Sequence, residues 1–461
     1  MTLTAEKRLE RYRTVLDNAD TPGESRADLR RHGDAPRRLL TVAACLLLAI
    51  AIVGIVAVRR PDKSDSSTEA VVTGTWRQGA TPPFVVTPGS QTAVTDDGRV
   101  IVLSPPTHGE TLAEPLHGGI YNPIADTWQT IPAAPFTGQG TFKVVGSTLV
   151  AVTDGETGPT AAALLDLTTM VWTSIDIPAE VGSHFLPWTW NGQTLAMVST
   201  DGPTVSGDAA TPVTMRWSLS DRTWHVGSPP PLTPRSTPTR AVTADRIAIW
   251  GGTPSDATGA TATGGLTDGA IYDVAADEWT PITANESLIN VAKAQAQALL
   301  VGDELTLVSS YAGSSLRTAA TYRSGRWTML PSPTATGFLV GAHFDSVVVD
   351  ADLQSSTGAQ YLDVGSNTWK DAPGKYILNT SIGLTALSSR DDNPGAAPLL
   401  AWVLSGDVWQ PTQNAPTVNR MSPSVAAVGS LVIVIGGEQG PDLIHQNDTW
   451  ILDLKKSAVQ G

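Results

Sequence analysis

The stretch RAVTADRIAIWGG at residues 240–252, followed by YDVAADEW at 272–279, decides the fold. In the first part, a strand of small residues turns into an apolar strand that ends in Gly251-Gly252. In the second part, six turn-forming residues separate Tyr272 from Trp279. Short apolar runs alternating with turn residues are typical of antiparallel hairpins. The stretch therefore predicts a unit of four short antiparallel strands.

The same pattern recurs along most of the chain. Eight tryptophans follow one another at intervals of 40 to 55 residues: Trp76, Trp128, Trp172, Trp224, Trp279, Trp327, Trp369 and Trp409. The offset of seven recurs in Tyr121–Trp128, Leu165–Trp172, Trp217–Trp224, Leu362–Trp369 and Trp402–Trp409. Trp327 departs from it, because Tyr322 precedes it by only five residues. Repeats of this length, with four strand-like runs in each, predict a β-propeller.

A Gly-Gly doublet followed by a Tyr, six residues and a Trp resembles the kelch repeat. The resemblance covers residues 73–456, and the doublet itself is kept at 251–252 and 436–437. It implies an all-β fold, a kelch-like β-propeller in which each Trp packs between neighbouring blades. We expect the indoles to be part of the core, since burying an aromatic ring of this size is strongly stabilising.

The number of blades follows from how the ring closes. The last repeat, 424–454, has no Trp strand of its own, whereas TGTWRQGATPP at 73–83 is a Trp strand without a repeat. Pairing the two would remove both open sheet edges. This predicts eight blades closed by the N-terminal strand. Seven blades is the alternative, because the segment 375–411 is short, lacks clear strands and is a candidate for fusion with a neighbour.

Composition excludes several classes of protein. The 461 residues contain 44 acidic and 30 basic side chains, a net charge of −14. Nucleic-acid binding needs clustered Lys and Arg, so we expect no nucleic-acid partner. One cysteine excludes a disulfide framework and a thiolate metal cluster. With 41% hydrophobic residues, the chain has material for a large core.

Residues 39–58, LLTVAACLLLAIAIVGIVAV, are twenty residues without a charge. This length matches the hydrocarbon thickness of a bilayer and predicts one transmembrane helix. It is too long, and too far from the start, for a cleaved signal peptide. Cys45 closes a tetrad that resembles a bacterial lipoprotein box. Such a box should end the apolar run, but here the run continues well beyond Cys45, so we interpret Cys45 as a small apolar residue of the helix.

Five arginines in 24–38 against three basic residues in 59–73 place the N-terminus in the cytoplasm. The predicted organisation is a cytoplasmic tail at 1–38, a membrane helix at 39–58, a linker at 59–72 and an extracytoplasmic domain at 73–456. The localisation is therefore a cell membrane, crossed once. The prevalence of Arg over Lys, together with abundant Ala, Thr and Gly, is typical of high-GC bacteria.

The sequence contains no strong catalytic motif. Extracellular kelch-like propellers include copper-radical oxidases of the galactose oxidase type, which need a Cys beside a Tyr. The only cysteine, Cys45, lies in the predicted membrane helix, so the resemblance is one of architecture only. His108 and His117 share a loop with Glu110 and Glu114, an arrangement that would suit a divalent cation, but solvated loop residues are the favoured interpretation. We expect no metal and no cofactor.

Sequence variation between the repeats is concentrated in one kind of connection. The loops between the second and third strands differ in length and are rich in Asp, Gly and Thr, while the six-residue turns before each Trp are constant. Variable loops on a rigid ring are where recognition usually occurs. The candidate binding residues on these loops are His108, Glu110, His117, Asp201, Asp208, Asp256, Asp268, Asp391, Asp442 and His445.

The leading hypothesis is a non-enzymatic binding module for an extracytoplasmic protein or glycan. A second is a transmembrane sensor whose tail, helical in pattern at 4–17, docks on a cytoplasmic protein. A third is a propeller hydrolase of unrecognised type that would depend on acidic loop residues such as Asp256, Asp268 or Glu110.

Overall fold

The structure is a computed structural model and contains one compact unit, residues 71–457. Within it, the structure describes all residues except those at 88–89, 105–114, 139, 156–157, 179–186, 201–210, 256–264, 290–295, 309–317, 333–337, 340–348, 352–359, 364–366, 375, 389–398, 406–407, 413–422 and 440–443. The described residues are almost entirely strands and turns, with one short 3₁₀ helix at Glu286–Leu288.

The described strands form eight four-stranded antiparallel sheets, numbered here in chain order. Sheet 1 contains Gln91–Val94, Val100–Ser104, His117–Asn122 and Thr127–Ile131. Sheet 2 contains Gly140–Val145, Thr148–Gly155, Gly158–Asp166 and Val171–Ile175. Sheet 3 contains Trp188–Trp190, Thr194–Ser199, Val213–Ser218 and Trp224–Val226. Sheet 4 contains Thr239–Val242, Arg246–Trp250, Gly269–Asp273 and Glu278–Ile282.

The second half of the unit repeats this arrangement. Sheet 5 contains Gln297–Val301, Glu304–Val308, Ala319–Arg323 and Arg326–Leu330. Sheet 6 contains Phe338–Leu339, Val349–Ala351, Gln360–Asp363 and Thr368–Asp371. Sheet 7 contains Tyr376–Thr380, Gly383–Ser388, Leu400–Ser405 and Val408–Pro411. Sheet 8 contains Ser424–Val428, Leu431–Ile435, Thr449–Ser457 and, as its fourth strand, Val71–Gly79.

The fourth strand of sheet 8 joins the two ends of the described unit. Val71 pairs with Ser457, Trp76 with Leu452 and Gly79 with Thr449, in one continuous antiparallel ladder. The predicted pairing of the Trp76 strand with the last repeat is confirmed. The strand begins two residues before the predicted domain boundary at 73.

The core is divided into eight apolar clusters of described residues, one between each sheet and the next. The cluster of sheets 1 and 2 includes Leu103 and Leu149, for example, and that of sheets 4 and 5 includes Trp250. Sheets 8 and 1 share a cluster that includes Val100 and Ile433. Every sheet therefore buries both faces against its neighbours, an all-β arrangement that is consistent with a propeller-like fold.

The predicted register of the Trp hairpins holds in five sheets. Trp128, Trp172, Trp224, Trp279 and Trp369 each lie opposite the residue seven positions earlier. The predicted Trp402–Trp409 pair is wrong, because Trp409 lies opposite Leu404 and Trp402 opposite Pro411. The shorter turn matches that of sheet 5, where Tyr322 lies opposite Trp327. The segment 375–411, predicted to lack clear strands, forms sheet 7.

Seven of the eight repeated Trp side chains, all except Trp76, connect their sheet to the one before it. Seven indole N–H groups donate to a backbone carbonyl at, or just after, the end of the preceding sheet's fourth strand, over 2.6–3.1 Å: Trp128 to Ala80, Trp172 to Pro132, Trp224 to Asp176, Trp279 to Ser228, Trp327 to Thr283, Trp369 to Pro331 and Trp409 to Asp371. All seven indoles are half-buried. They therefore do not belong to the deep core, where they were expected. They are outer links between sheets, while Trp190 and Trp250 are fully buried.

Exposure changes systematically across a sheet. The first strands of sheets 1, 2, 5 and 7 are half-exposed over most of their length. The second strands of sheets 1, 3, 4 and 5 are almost completely buried. The fourth strands are again exposed, as in Thr127–Ile131 and Glu278–Ile282. In sheets 1, 2, 5 and 7 the first strand is therefore a solvent-facing border, whereas the first strand of sheet 3, Trp188–Trp190, is buried.

No helix among the described residues is long and apolar enough to cross a membrane. The predicted tail, the predicted membrane helix at 39–58 and the linker up to residue 70 lie outside the described residues. The topology and the localisation stay predictions.

Removing the strand Val71–Gly79 tests the terminal pairing. The deletion exposes the whole edge of Thr449–Ser457 and uncovers the apolar cluster that contains Val72 and Leu452. Because such an edge is both unstable and prone to aggregation, we expect Tm to fall by more than about 10 °C. Circular dichroism of the purified variant measures this.

A chain that begins at residue 71 is the control and is expected to melt within about 2 °C of the full chain, a shift that corresponds to less than about 1 kcal/mol. Equal melting temperatures for the chains beginning at 71 and at 80 would contradict the structural role of the strand.

Candidate binding face

Each sheet has two edges of different character, defined by the ends of its strands. The loop edge carries the connection from the second to the third strand, together with the connections that enter and leave the sheet. The turn edge carries the turns between the first and second strands and between the third and fourth strands. The variable loops that contain the candidate residues all belong to loop edges.

At the loop edge, the loops pack on the connections between sheets. In sheet 1, Ala134 N donates to Leu116 O over 3.0 Å, and Pro115 bridges to Thr137. In sheet 4, the Thr267 hydroxyl donates to Glu286 Oε1 over 3.2 Å. The loop edge is therefore built from the second-to-third loops and from the connections between sheets. The sequence pattern pointed only to the loops.

The structure describes three of the ten candidate residues: His117, Asp268 and His445. The other seven lie outside the described residues: His108, Glu110, Asp201, Asp208, Asp256, Asp391 and Asp442. The acidic residues proposed for a hydrolase include two of these seven, Asp256 and Glu110. Within the described part of the chain, no three His, Cys, Asp or Glu side chains converge as a metal site would require.

His117 begins the third strand of sheet 1 and is held against the connection that arrives from sheet 8. Its Nε2 lies 3.2 Å from the carbonyl oxygen of Val85. Its ring lies edge-on to Phe84, with the ring centroids 6.1 Å apart. Phe84 in turn packs edge-on against Trp128 at 5.5 Å. The imidazole is therefore positioned by a fixed aromatic cluster while remaining partly open to solvent.

His445 lies in a small hairpin in the loop of sheet 8, two residues before Asn447. Glu438–Gln439 pairs with Ile444–His445, and His445 Nδ1 lies 3.7 Å from Glu438 Oε1. The neighbouring Asn447 accepts from Val86 N and donates to Pro82 O, each over 3.1 Å. The connection from sheet 8 to sheet 1 is thus held by Asn447 and contacts one candidate histidine, His117.

This region presents apolar side chains to solvent. Val85 is 52% exposed and Ile444 is 60% exposed. Exposed apolar groups next to polar, partly charged groups are typical of binding surfaces, in which an apolar centre is surrounded by polar residues. Val85, His117, Ile444 and His445 are named here the A patch.

Asp268 has a different environment. It closes the loop of sheet 4 over Arg235, whose side chain is completely buried. The guanidinium donates to Asp268 Oδ2 over 3.2 Å and to the backbone carbonyls of Gly251 and Thr233 over 3.1 Å each. An unpaired buried guanidinium is strongly destabilising, so the Asp268 carboxylate acts as its counter-ion. Asp268 therefore fixes the base of this loop.

Sequence reasoning missed the inter-sheet connections. Val85 belongs to the A patch, and Phe84 and Asn447 support its neighbours, yet the connection that holds Phe84 and Val85 follows a segment interpreted only as a Trp strand without a repeat. The signal was present in the sequence PPFVV at 82–86, where three large apolar residues follow two prolines.

The turn edge is uniform by comparison. The residue two positions before the repeated Trp has a left-handed backbone conformation in six sheets: Asp126, Met170, Arg222, Asp277, Gly325 and Asn367, with φ between 51° and 80°. Met and Arg rarely adopt this conformation, so the turn is imposed by the strands it connects. This turn position thus keeps a left-handed conformation in these six sheets whatever its side chain is, although the turn of sheet 5 is two residues shorter than the other five.

In sheets 1 and 4, the aspartate at this turn position also links neighbouring sheets. Asp277 Oδ1 accepts from Tyr272 Oη over 2.6 Å and from Ser228 N over 2.9 Å, and its Oδ2 lies 3.0 Å from Arg216. Burial alone would raise the pKa of Asp277, but these partners together hold it below its usual value. Burial, followed by the Asp277 contact, raises the pKa of Tyr272.

The same arrangement occurs in sheet 1. Asp126 Oδ1 accepts from Tyr121 Oη over 2.5 Å and from Ala80 N over 2.8 Å, while Arg77 lies 3.3 Å from Oδ2. The Tyr121 hydrogen bond, with help from Ala80 and Arg77, lowers the pKa of Asp126. Two sheets therefore use the same side-chain link to the preceding sheet.

The chain matches no family model, and no curated protein matches it. The arrangement of the sheets and the contrast between their two edges are therefore what point to a function.

Replacing Asp277 by Asn tests the link between sheets 3 and 4. Asn tolerates the left-handed backbone but removes the charge that faces Arg216. We expect a loss of about 1–3 kcal/mol of unfolding free energy at pH 7. Since the pKa of Asp277 is lowered in the folded state, its stabilisation is complete above about pH 4 and disappears as pH falls through that lowered pKa. Urea unfolding at pH 7 and at pH 3 measures the difference.

A pair of Tyr variants provides the control. Tyr272→Phe is expected to destabilise by about 1 kcal/mol, since it removes the hydrogen bond to Asp277. Tyr322→Phe is expected to have a smaller effect, because the Tyr322 hydroxyl lies 3.4 Å from both Pro281 O and Thr283 N. Equal effects of the two variants would contradict the proposed role of the Asp277 link.

Proposed function

We propose that the chain is a membrane-anchored, extracytoplasmic binding protein whose eight sheets are the blades of a closed, kelch-like β-propeller. Support for eight blades comes from the eight described four-stranded sheets and from the eight apolar clusters between them, including the one between sheets 8 and 1. Support for closure comes from the terminal ladder between Val71–Gly79 and Thr449–Ser457.

The kelch-like character is supported by the backbone of the two Gly-Gly doublets. Gly251, Gly252, Gly436 and Gly437 all have positive φ, between 63° and 95°. At Gly252 a side-chain carbon would also lie only 2.7 Å from the carbonyl oxygen of Ser236. The doublet is therefore a conformational requirement at the point where the second strand enters the loop edge.

The binding role rests on one observation, the contrast between the two edges. The turn edge has short third-to-fourth turns with a left-handed residue at the same position in six sheets, whereas the loop edge combines connections of different length with exposed Val85 and Ile444. A surface that differs from blade to blade on a rigid ring suits selective recognition of one partner. The partner we propose is an extracytoplasmic protein or glycan, bound without chemical turnover.

The position of the two ends of the described unit also favours the loop edge as the binding face. Val71 pairs with Ser457 at the turn edge of sheet 8, so a membrane anchor before residue 71 is joined to the propeller at that edge. The loop edge lies at the opposite ends of the same strands.

A double variant of the A patch tests the binding role. Val85→Asp with Ile444→Asp places two charges on the proposed contact surface, where each side chain is at least half exposed and so is not needed for folding. We expect retention of the purified protein on an envelope fraction of the producing cells to weaken at least tenfold, since two contact residues lose about 1 kcal/mol or more each.

The matched control is Ile124→Asp with Val171→Asp. These residues are 83% and 57% exposed and lie in or beside third-to-fourth turns, on the turn edge. The control is expected to retain full binding. Equal loss in both variants, or in neither, would contradict the assignment of the loop edge as the binding face.

A further inference from the structure

The first strand of the described unit is paired with the last one along its whole length. The ladder has nine residue pairs, so it is about 30 Å long at about 3.3 Å per residue. Val71 lies opposite Ser457 at one end, named here the linker end, and Gly79 lies opposite Thr449 at the other, named the far end. A pull on the chain that precedes residue 71 therefore acts on this ladder first, at its linker end.

Both exposed apolar residues of the A patch belong to segments that leave the far end of the ladder. Val85 follows this end by six residues, and Ile444 precedes it by five. Asn447 joins the two segments, because it donates to Pro82 O and accepts from Val86 N, each over 3.1 Å. A partner bound to the A patch would therefore hold the ladder at the end opposite to the linker.

The points at which two forces act on a ladder decide how it breaks. Forces at the same end separate the pairs one after another, so only a bond or two, each worth about 1 kcal/mol, resist at any moment. Forces at opposite ends load all pairs together, because the strands must slide past each other before any pair is released. A strand also rises about 3.3 Å per residue, close to the limit of about 3.3–3.6 Å for an extended chain, so tension hardly lengthens it.

Side-chain contacts hold the far half of the first strand to sheet 1. Arg77 donates to Pro123 O over 3.0 Å and lies 3.3 Å from Asp126 Oδ2, while Ala80 N donates to Asp126 Oδ1 over 2.8 Å. In the middle of the strand, the buried indole N–H of Trp76 has no hydrogen-bond partner among the described residues. The strand is thus fastened towards the far end, where the A patch lies.

We propose that tension between the membrane linker and a partner on the A patch runs along this ladder in shear, so that the protein holds its partner under force without opening the ring. The inference rests on the membrane anchor and the binding face proposed above. A pull through the linker reaches Val85 along the backbone of an already extended strand, and it reaches Ile444 through all nine pairs at once.

Single-molecule force measurements on the full chain test this. One handle is attached at the N-terminus and the other at a single introduced cysteine, after Cys45→Ala removes the natural one. Ile444→Cys at the far end and Lys456→Cys at the linker end are matched variants, since both positions are exposed. We expect release of the first strand to need a force at least about twofold higher with Ile444→Cys, because the pairs break together rather than in turn.

A second attachment at the far end covers the case in which Ile444→Cys does not fold. With Val85→Cys, we expect no lengthening of the folded unit at the force that releases the first strand in Lys456→Cys. Circular dichroism melting of each variant checks that it is folded before force is applied. Equal release forces in folded Ile444→Cys and Lys456→Cys, or release in Val85→Cys at that same force, would overturn the proposal.

The force measurements need no partner, so their failure is distinct from a failure of the binding role. Equal release forces, together with weakened envelope retention of the Val85→Asp, Ile444→Asp variant, would reject the tension path alone. Full envelope retention of that double variant would reject the A patch as the binding site and, with it, a partner held at the far end of the ladder.

Discussion

The structure depends on a hydrogen bond that recurs from sheet to sheet, from an indole N–H to a backbone carbonyl of the preceding sheet. Each bond contributes about 1 kcal/mol by itself, but its geometry fixes where the fourth strand of one sheet ends relative to the turn of the next. In sheets 1 and 4, Asp126 and Asp277 fix the same junction with a carboxylate. In seven sheets, a Trp at the start of the fourth strand therefore links its sheet to the preceding one. Sheet 8 is the exception, since the buried indole N–H of Trp76, in the middle of its fourth strand, has no hydrogen-bond partner among the described residues.

This constraint explains why the two edges of the sheets differ. In six sheets, the turns before the Trp are held by the junction and keep a left-handed residue at one position, even where that residue is Met170 or Arg222. The loops between the second and third strands contain none of the seven carbonyl acceptors, and they vary in length. They are fixed instead by local devices, such as the buried Arg235 beneath the loop of sheet 4 and Asn447 beside the connection from sheet 8. A rigid edge and a variable edge are what a recognition module requires.

Much of this was predictable from the sequence, and the failures have physical causes. The interval between tryptophans and the offset from Tyr272 to Trp279 predicted the hairpin register, because a fixed turn length determines which residues face each other. The offset of seven gave the wrong partner, Trp402, for Trp409. The turn before Trp409 has two fewer residues than the turn before Trp279, so Trp409 lies opposite Leu404. The indoles were expected in the core, yet their N–H groups need an acceptor, which keeps them at the outer border where strand ends expose carbonyls.

The candidate binding residues were chosen from the composition of the second-to-third loops alone. The contribution of Phe84 and Val85 was therefore missed, because they lie in a different connection. The structural role of Asp268 was missed because it depends on Arg235, thirty-three residues away.

Hydrogen exchange of the indole N–H groups, observed by nuclear magnetic resonance with each Trp assigned from a Trp→Phe variant, tests the central claim most directly. The account predicts that the N–H protons of Trp128, Trp172, Trp224, Trp279, Trp327, Trp369 and Trp409 exchange much more slowly than a free indole, although their rings are partly exposed. Exchange of these seven protons at the free rate would contradict it, because the sheets would then lack the bonds that join them.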